Sequence, residues 1–466
     1  MTQDGQRVLL LDVVGLTPRA LEQMPLLRRW AGGSATPLRT VLPAVTCSVQ
    51  STMLTGRDPG EHGAVGNGWF FRDLGEIMFW RQPNSLVEGP KVWDALRRSR
   101  PAAKVANVCW WYAMGAAVDT TITPRPVYHA DGRKSPDAYT VPDSLRSGLL
   151  ADLGPFPLFR YWGPTASIES SRWIVEATRR LLPDHDLTLA YVPHLDYDHQ
   201  RYGPGDPRSA AAAAELDRVL APLLADADAQ GLRTLVVSEN GITDVDRPVD
   251  VNRVLRREGL LQVHTQAGME YLDPWTSRAF AVADHQVAHV YVRDPADRER
   301  VATLLAGLPG VEQVLDRDAQ REAGVGHARS GDLVVVADAR AWFTYYYWLD
   351  DERAPDFARG VDIHRKPGYD PAELFFDPAD RSAKARAGLG LVRKAVGLRY
   401  AMRVVPLDPT CVRGAHGRRP DDEADGPVVL SGGGLADLVP AGTSLRAHDV
   451  HDLVLAAAGA LPALAR

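Results

Sequence analysis

Along the first 240 or so residues, short apolar runs alternate with longer stretches in which apolar positions recur at helical spacing. The runs RVLLLDVVG (7–15), AAKVANVCWW (102–111), LTLAYVPHLD (187–196) and RTLVVSENG (233–241) have the length and continuity of strands buried on both faces. Between them, SVQSTMLTG (48–56) reads as a helix closed by Gly56, and SRWIVEATRRLL (171–182) as a second helix. PRSAAAAAELDRVLAPLLADADAQG (207–231) reads as a long alanine-rich helix stopped by Gly231. This alternation predicts an α/β fold around a mostly parallel sheet. Three of the runs give way to polar residues, at Asp12, at Asp196 and at Glu239–Asn240. The carboxyl ends of strands are where an open α/β sheet builds its site.

Beyond about residue 260 the texture changes. FAVADHQVAHVYV (280–292) and GDLVVVADARAWFTYYYWL (331–349) are strand-like, 351–385 is loop-like, and 445–464 reads as a helix. The expected division is a core from 1–255 together with 405–466, and an insertion or cap over 256–404 that contributes to a substrate pocket.

Charge and cysteine content narrow the class. The 466 residues carry 53 basic and 59 acidic side chains, a net charge of −6, which argues against a nucleic-acid surface. Three cysteines, Cys47, Cys109 and Cys411, do not make a disulfide framework and fit a reducing compartment. The opening MTQDGQRVLLLDVVG lacks a signal-peptide layout, and no apolar run has the ~18 residues of a membrane span. The expectation is a cytoplasmic protein that engages neither membrane nor nucleic acid.

Several residues are candidates for chemistry. Asp12 closes the first strand and suits a metal ligand or a turn residue. Thr46 lies just before a predicted helix, where free N–H groups favour an anion or an alkoxide; the alternative is a simple cap. HGAVGNG (62–68) ends beside Asn67, whose amide can donate to an anionic oxygen or merely serve a glycine turn. YVPHLDYDHQRYGPGDP (191–207) gathers His194, Asp196, Asp198 and His199, donors that suit Zn²⁺ or Mn²⁺. Glu239 and Asn240 stand at another strand end, and RGAHGRRPDDE (413–423) sets His416 between glycines. In the 256–404 stretch, His285, Asp362 and His364 either face the site or are hydrogen-bonded structural residues. Trp110–Trp111–Tyr112 and FTYYYWL (343–349) offer ring surfaces for a ligand, an oligomer interface or a core.

The order of these pieces resembles the alkaline phosphatase superfamily, in its nucleotide pyrophosphatase/phosphodiesterase-like and phosphonoacetate-hydrolase-like branch. The resemblance rests on Asp12, on P-A-V-T-C-S with Thr46 nine residues before T-G, and on D-P-G-E-H-G with Asn67 five residues past His62. L-D-Y-D-H-Q-R-Y-G-P, S-E-N-G and R-G-A-H-G complete it. It implies a three-layer α/β/α sandwich and a phosphoric ester hydrolase acting on a small-molecule phosphodiester or pyrophosphate through a phosphothreonine intermediate. It further implies Thr46 as nucleophile, Asn67 as a phosphate-oxygen donor and two divalent ions, zinc by family pattern. Asp12, Thr46, Glu239 and Asn240 would line one ion, and Asp196 and His416 the other.

The chain departs from that pattern at the metal ligands. Gln200 stands four residues after Asp196 where the family has His, and His199 stands three after. S-E-N-G replaces S-D-H-G. Oxygen-rich donors favour Mg²⁺ or Mn²⁺ over zinc. Three outcomes are open: one strong and one weak metal position, substitute ligands from His199, Asp198, His285 or His364, or an altered, inactive anion-binding protein.

Overall fold

The computed structural model describes residues 5–32, 35–130, 134–378, 403–432, 437–439 and 444–462. Parts of the expected 351–385 loop and of the 405–466 core segment, and the end of the predicted 445–464 helix, lie outside the described residues. Among the described residues a nine-stranded sheet runs in the order Leu445–Arg446, Thr36–Arg39, Val428–Ser431, Arg233–Val237, Val8–Val13, Leu187–Val192, Val105–Val108, Thr120–Pro124, Ala138–Val141. Its four middle strands, Arg233–Val237 to Val105–Val108, pair in parallel, as do the outer pairs 105–108 with 120–124 and 36–39 with 445–446. The pairs 233–237 with 428–431, 36–39 with 428–431 and 120–124 with 138–141 are antiparallel. Val8–Val13 is buried at every position, which is why it reads as an unbroken apolar run.

Two helix groups cover the sheet. Ile168–Leu181, Pro207–Ala229 and Pro25–Trp30 pack among themselves, and so do Thr46–Thr55, Val92–Ser99 and Asp449–Ala457. The result is the expected α/β architecture with a mainly parallel sheet. The last helix is shorter than 445–464 suggested, because Leu445–Arg446 joins the sheet edge first.

The 187–196 run does not end as a strand at Asp196. The strand stops at Val192, and Pro193 leads directly into the helix His194–Tyr202. Asp196 therefore sits in a helical first turn, with Gln200 one turn further along the same face.

A second, antiparallel sheet of four strands lies in the 256–404 stretch, ordered Ala279–Asp284, Val287–Val292, Leu333–Ala337, Val311–Leu315. Its apolar face and Tyr345, Tyr346, Tyr347 and Trp348 form a separate core. Those four rings are at most 1% exposed, so the 343–349 aromatics are not an oligomer surface. They are buried because they follow Ala341–Phe343, a short strand paired with Arg247–Val249.

Candidate active site at the carboxyl edge of the sheet

Sheet register brings the site together. Asp12 lies opposite Val237 on one side and Tyr191 on the other. The chain leaving Val237 reaches Glu239 and Asn240 two and three residues later, and the chain leaving Val192 reaches Asp196 four residues later. Three carboxylates 12, 196 and 239 thus converge from adjacent strands on the sheet's carboxyl edge.

Thr46 is the first residue of the helix Thr46–Thr55, and Val45 before it supplies no side-chain cap. The cap reading of Thr46 therefore fails. Its buried hydroxyl instead donates to Glu239 Oε1 at 2.9 Å. One turn on, Gln50 Nε2 donates to Asp12 Oδ2 at 3.0 Å while Gln50 Oε1 accepts the Trp111 N–H at 2.9 Å. The helix ends at Gly56, whose φ of 68° is the left-handed geometry that suits glycine.

Asn67 is tied at both ends of its amide. Its Oδ1 accepts the Cys47 N–H at 2.9 Å, and its Nδ2 donates to Asp284 Oδ1 at 3.1 Å. One amide hydrogen is left for a ligand. The Asn67 backbone N–H also donates to Asp284 Oδ2 at 2.7 Å.

His416 arrives on a strap stitched across the sheet. Ala44 N donates to the Gly417 carbonyl and Gln286 N to the His416 carbonyl, at 2.8 and 2.9 Å. A Cβ at Gly414 would run into the His199 carbonyl oxygen, so the close approach requires glycine there. His416 Nδ1 lies 2.8 Å from the Ala44 carbonyl. It carries the proton, and Nε2 presents a lone pair, 3.7 Å from Asp196 Oδ1.

His285 occupies the tip of the hairpin between Ala279–Asp284 and Val287–Val292, at φ 61°. Its ring stacks 3.6 Å from Tyr369 and 3.8 Å from His416, centroid to centroid, and its Nδ1 donates to Asp284 Oδ1 at 2.8 Å. Asp284, Gln50 and Tyr369 are members of the site that motif reading misses; the pair Asp284–His285 in ADHQVAH is the local signal for the first.

Other expected participants lie apart. His199 is not on the cavity wall; its ring packs near Gly15. Asp198 pairs with Arg201 at 3.0 Å. His194 has no hydrogen-bond partner at either ring nitrogen, and burial pushes it down to about 3. Asp362 and His364 line the outer cavity, where His364 Nδ1 faces the Phe79 carbonyl at 3.3 Å and Asp362 lies 3.9 Å from both Lys134 and Arg365. None of these five forms a hydrogen bond or ion pair with Asp12, Asp196 or Glu239.

The electrostatics call for a cation at one end. Burial, only partly offset by Gln50, pushes Asp12 up to about 8. Burial and the Asp12 charge push Glu239 well above the carboxylate range. Asp12 Oδ1, Glu239 Oε2 and Asn240 Oδ1 are buried without any hydrogen-bond partner. Buried carboxylates without partners are costly unless a positive charge meets them. The donors Asp12, Thr46, Glu239 and Asn240 therefore fit a divalent ion, and their oxygen character fits a hard one.

The other end does not show the same need. Gln200 Nε2 donates to Asp196 Oδ1 at 2.7 Å, and Gln200 Oε1 accepts from Tyr369 O–H at 2.9 Å. Burial, opposed by the Gln200 bond, pushes Asp196 up to about 7. Among the described residues no group of three His, Cys, Asp or Glu side chains is placed to hold a metal.

Above the site opens a cavity of about 1840 Å³ whose lining includes Thr46, Trp80, Trp111, Trp162 and Tyr369. Trp80 packs 4.8 Å from Trp111 and 6.1 Å from Tyr369. Of the 110–112 group, Trp111 faces the cavity, whereas Trp110 and Tyr112 are buried in cores.

A hydroxyl at a helix head, facing carboxylates on the carboxyl edge of a parallel sheet, is the arrangement of the alkaline-phosphatase-like hydrolases. The chain belongs to the type I phosphodiesterase/nucleotide pyrophosphatase family, whose model matches residues 8–370. Among solved structures it is similar to phosphonoacetate hydrolase from Sinorhizobium meliloti 1021 in complex with phosphonoformate. The TM-score is 0.62 and the identity 18%, over 97% of this chain and 96% of that one. It is also similar to murine ectonucleotide pyrophosphatase/phosphodiesterase 5 in an inactive form in complex with AMP, with a TM-score of 0.56 and 15% identity over 99% and 96% of the two chains. The human form gives a TM-score of 0.58 and 15% identity over 99% and 97%. Among the described residues no helix is long and apolar enough to cross a membrane.

Proposed function

We propose that this chain is a divalent-metal-dependent hydrolase of small phosphodiesters or pyrophosphates, with Thr46 as the nucleophile. The observation that carries the reading is the Thr46–Glu239 hydrogen bond beside the unpartnered Asp12 and Glu239 oxygens. A cation bound by Asp12, Thr46, Glu239 and Asn240 would lower the Thr46 hydroxyl pKa and neutralise charge on the transferring group. Glu239 Oε1 already holds the Thr46 proton in a hydrogen bond and is the atom that receives it. Thr46 Oγ1 then bonds to phosphorus as the bond to the leaving-group oxygen breaks. The leaving group departs into the aromatic cavity, and water later attacks the same phosphorus to release Thr46. The remaining Asn67 amide hydrogen is directed by its two fixed bonds to Cys47 and Asp284 and supports a phosphoryl oxygen. The chemistry of the AMP and phosphonate complexes of the similar structures supports a small phosphorus-containing substrate. The trio of cysteines, free in the structure, supports a reducing, cytoplasmic setting.

The test uses bis-p-nitrophenyl phosphate with Mn²⁺ or Mg²⁺. The wild-type protein should turn it over and, when quenched, carry a p-nitrophenylphosphoryl group on Thr46 by mass spectrometry. Thr46→Ala should lose both, with its circular dichroism unchanged. Equal turnover by Thr46→Ala removes the nucleophile assignment. Binding of anions with no turnover under any ion would favour the second reading, an altered anion-binding protein, which the Gln200 and Asn240 side chains support.

A further inference from the structure

Resting on that reading, we propose that the chain holds a single divalent cation, at Asp12, Thr46, Glu239 and Asn240. The second metal position that the family pattern implies is closed by a hydrogen-bonded bridge, Asp196–Gln200–Tyr369.

The geometry at the bridge sets the donor count. Only Oε1 of an amide can ligate a cation, and Gln200 Oε1 takes the Tyr369 hydroxyl at 2.9 Å. Gln200 Nε2 is turned toward Asp196 Oδ1 at 2.7 Å, a charge-assisted bond when Asp196 is ionised. Turning the amide over would set its oxygen against a carboxylate oxygen. Tyr369 is not free to withdraw: its ring stacks on His285, and its backbone N–H donates to the Ala283 carbonyl at 2.9 Å. What remains for a second ion is Asp196 and the His416 Nε2 lone pair, 3.7 Å from each other. Two protein donors fall short of the three that a catalytic zinc site supplies. Of the candidates for a third, His199 is off the cavity wall, Asp198 is paired with Arg201, and His285 is clamped between the Tyr369 and His416 rings with its Nδ1 on Asp284.

The first position differs in every respect. Three of its four side chains have a buried oxygen with no partner, and the fourth, Thr46, is bonded only to Glu239. An amide oxygen in place of an imidazole nitrogen at Asn240, together with the Glu239 carboxylate, makes the set all-oxygen, which suits Mn²⁺ or Mg²⁺.

The experiment is metal counting, independent of turnover. Protein is dialysed against micromolar MnCl₂, or separately ZnCl₂, and metal per chain is read by plasma mass spectrometry, with circular dichroism as the fold control. The expected result is one ion per chain, lost in Asp12→Asn and kept in Asp196→Asn. Gln200→His should raise the count to two, because imidazole restores a third donor. Two ions in the wild type overturn the single-cation proposal while leaving the metal-dependent hydrolase reading intact. No ion at all overturns both. One ion lost with Asp196→Asn but kept with Asp12→Asn overturns the placement, and a count that stays at one in Gln200→His removes Gln200 as the closing group.

Discussion

Lys366 is at most 1% exposed and bonds Asp370 Oδ2 and Glu373 Oε1, each at 2.7 Å, with both carboxylate side chains at most 2% exposed. Glu373 also accepts from Trp162 Nε1 at 2.6 Å and from the Asp362 N–H at 2.8 Å. This triad pins the loop that delivers Tyr369 to Gln200. In Lys366→Met the stem is kept and the charge is removed. Two buried carboxylates are then left without a counter-charge, a class of loss worth about 3–5 kcal/mol. Glu373, whose carboxyl is already pushed up by burial, can escape by taking a proton. At pH 7 that costs about 1.4 kcal/mol for each unit between 7 and the ordinary carboxyl value near 4, again about 4 kcal/mol. At pH 5 the same escape costs only about 1.4 kcal/mol. Burial already raises the Glu373 carboxyl in the native protein against the opposing Lys366 charge, and removing that charge raises it further above its unfolded value. The lost stability is therefore smallest at low pH and grows as pH rises. Urea unfolding of wild type and variant, read by tryptophan fluorescence with Trp162 as a local reporter, should give a difference of about 3–5 kcal/mol at pH 7 that shrinks to about 1–2 at pH 5. A difference below about 1 kcal/mol at pH 7, or one that does not change with pH, would refute the reasoning.

Two further outcomes follow from buried polar groups. His62 accepts the Ala64 N–H at Nδ1 and bonds Thr52 through Nε2, and burial holds it down to about 3. The native state stays neutral there while the unfolded state gains a proton below about 6.5, so this share of stability is present above 6.5 and is lost as pH falls. Between pH 7 and 5, His62→Gln should lose about 2 kcal/mol less than the wild type in urea unfolding; parallel losses would contradict a neutral buried His62. Asn67→Ala removes the acceptor of the Cys47 N–H and one donor to Asp284, at a cost of about 1–3 kcal/mol. Its turnover of bis-p-nitrophenyl phosphate should fall tenfold or more, and wild-type rates would show that the amide does not reach the reacting group.

Much of the main sheet is legible because its central strands are buried on both faces. Val8–Val13 and Leu187–Val192 are apolar at nearly every position, and a run of that kind has few other uses. The register that sets Asp12 between Glu239 and Asp196 follows once those strands are adjacent. Asp196 shows where local reading stops: continuity of LTLAYVPHLD suggests one strand, while Pro193 ends the strand and opens a helix. Gln200 reads from sequence only as a missing histidine. Its bond to Tyr369 crosses 169 residues, and nothing in KPGYD marks that tyrosine as its partner. Asn67 likewise reads as a free donor, because Asp284 meets it across 217 residues.

The His285 hairpin joins two parts of the molecule that would otherwise be free to vary separately. A turn in the smaller sheet, the strap carrying His416 and the loop carrying Tyr369 stack as three successive rings. The outer strand Val311–Leu315 is separated from that hairpin by Leu333–Ala337 and can drift, lengthen or be recast over generations. The tip cannot: each change there is felt at once by the imidazole of the strap and by the phenol above Gln200. The smaller sheet is therefore tethered at one ring to the strap that lies beside Asp196, and diversification of this protein is expected to spread outward from the cavity rim, leaving the stacked rings as its hinge of inheritance.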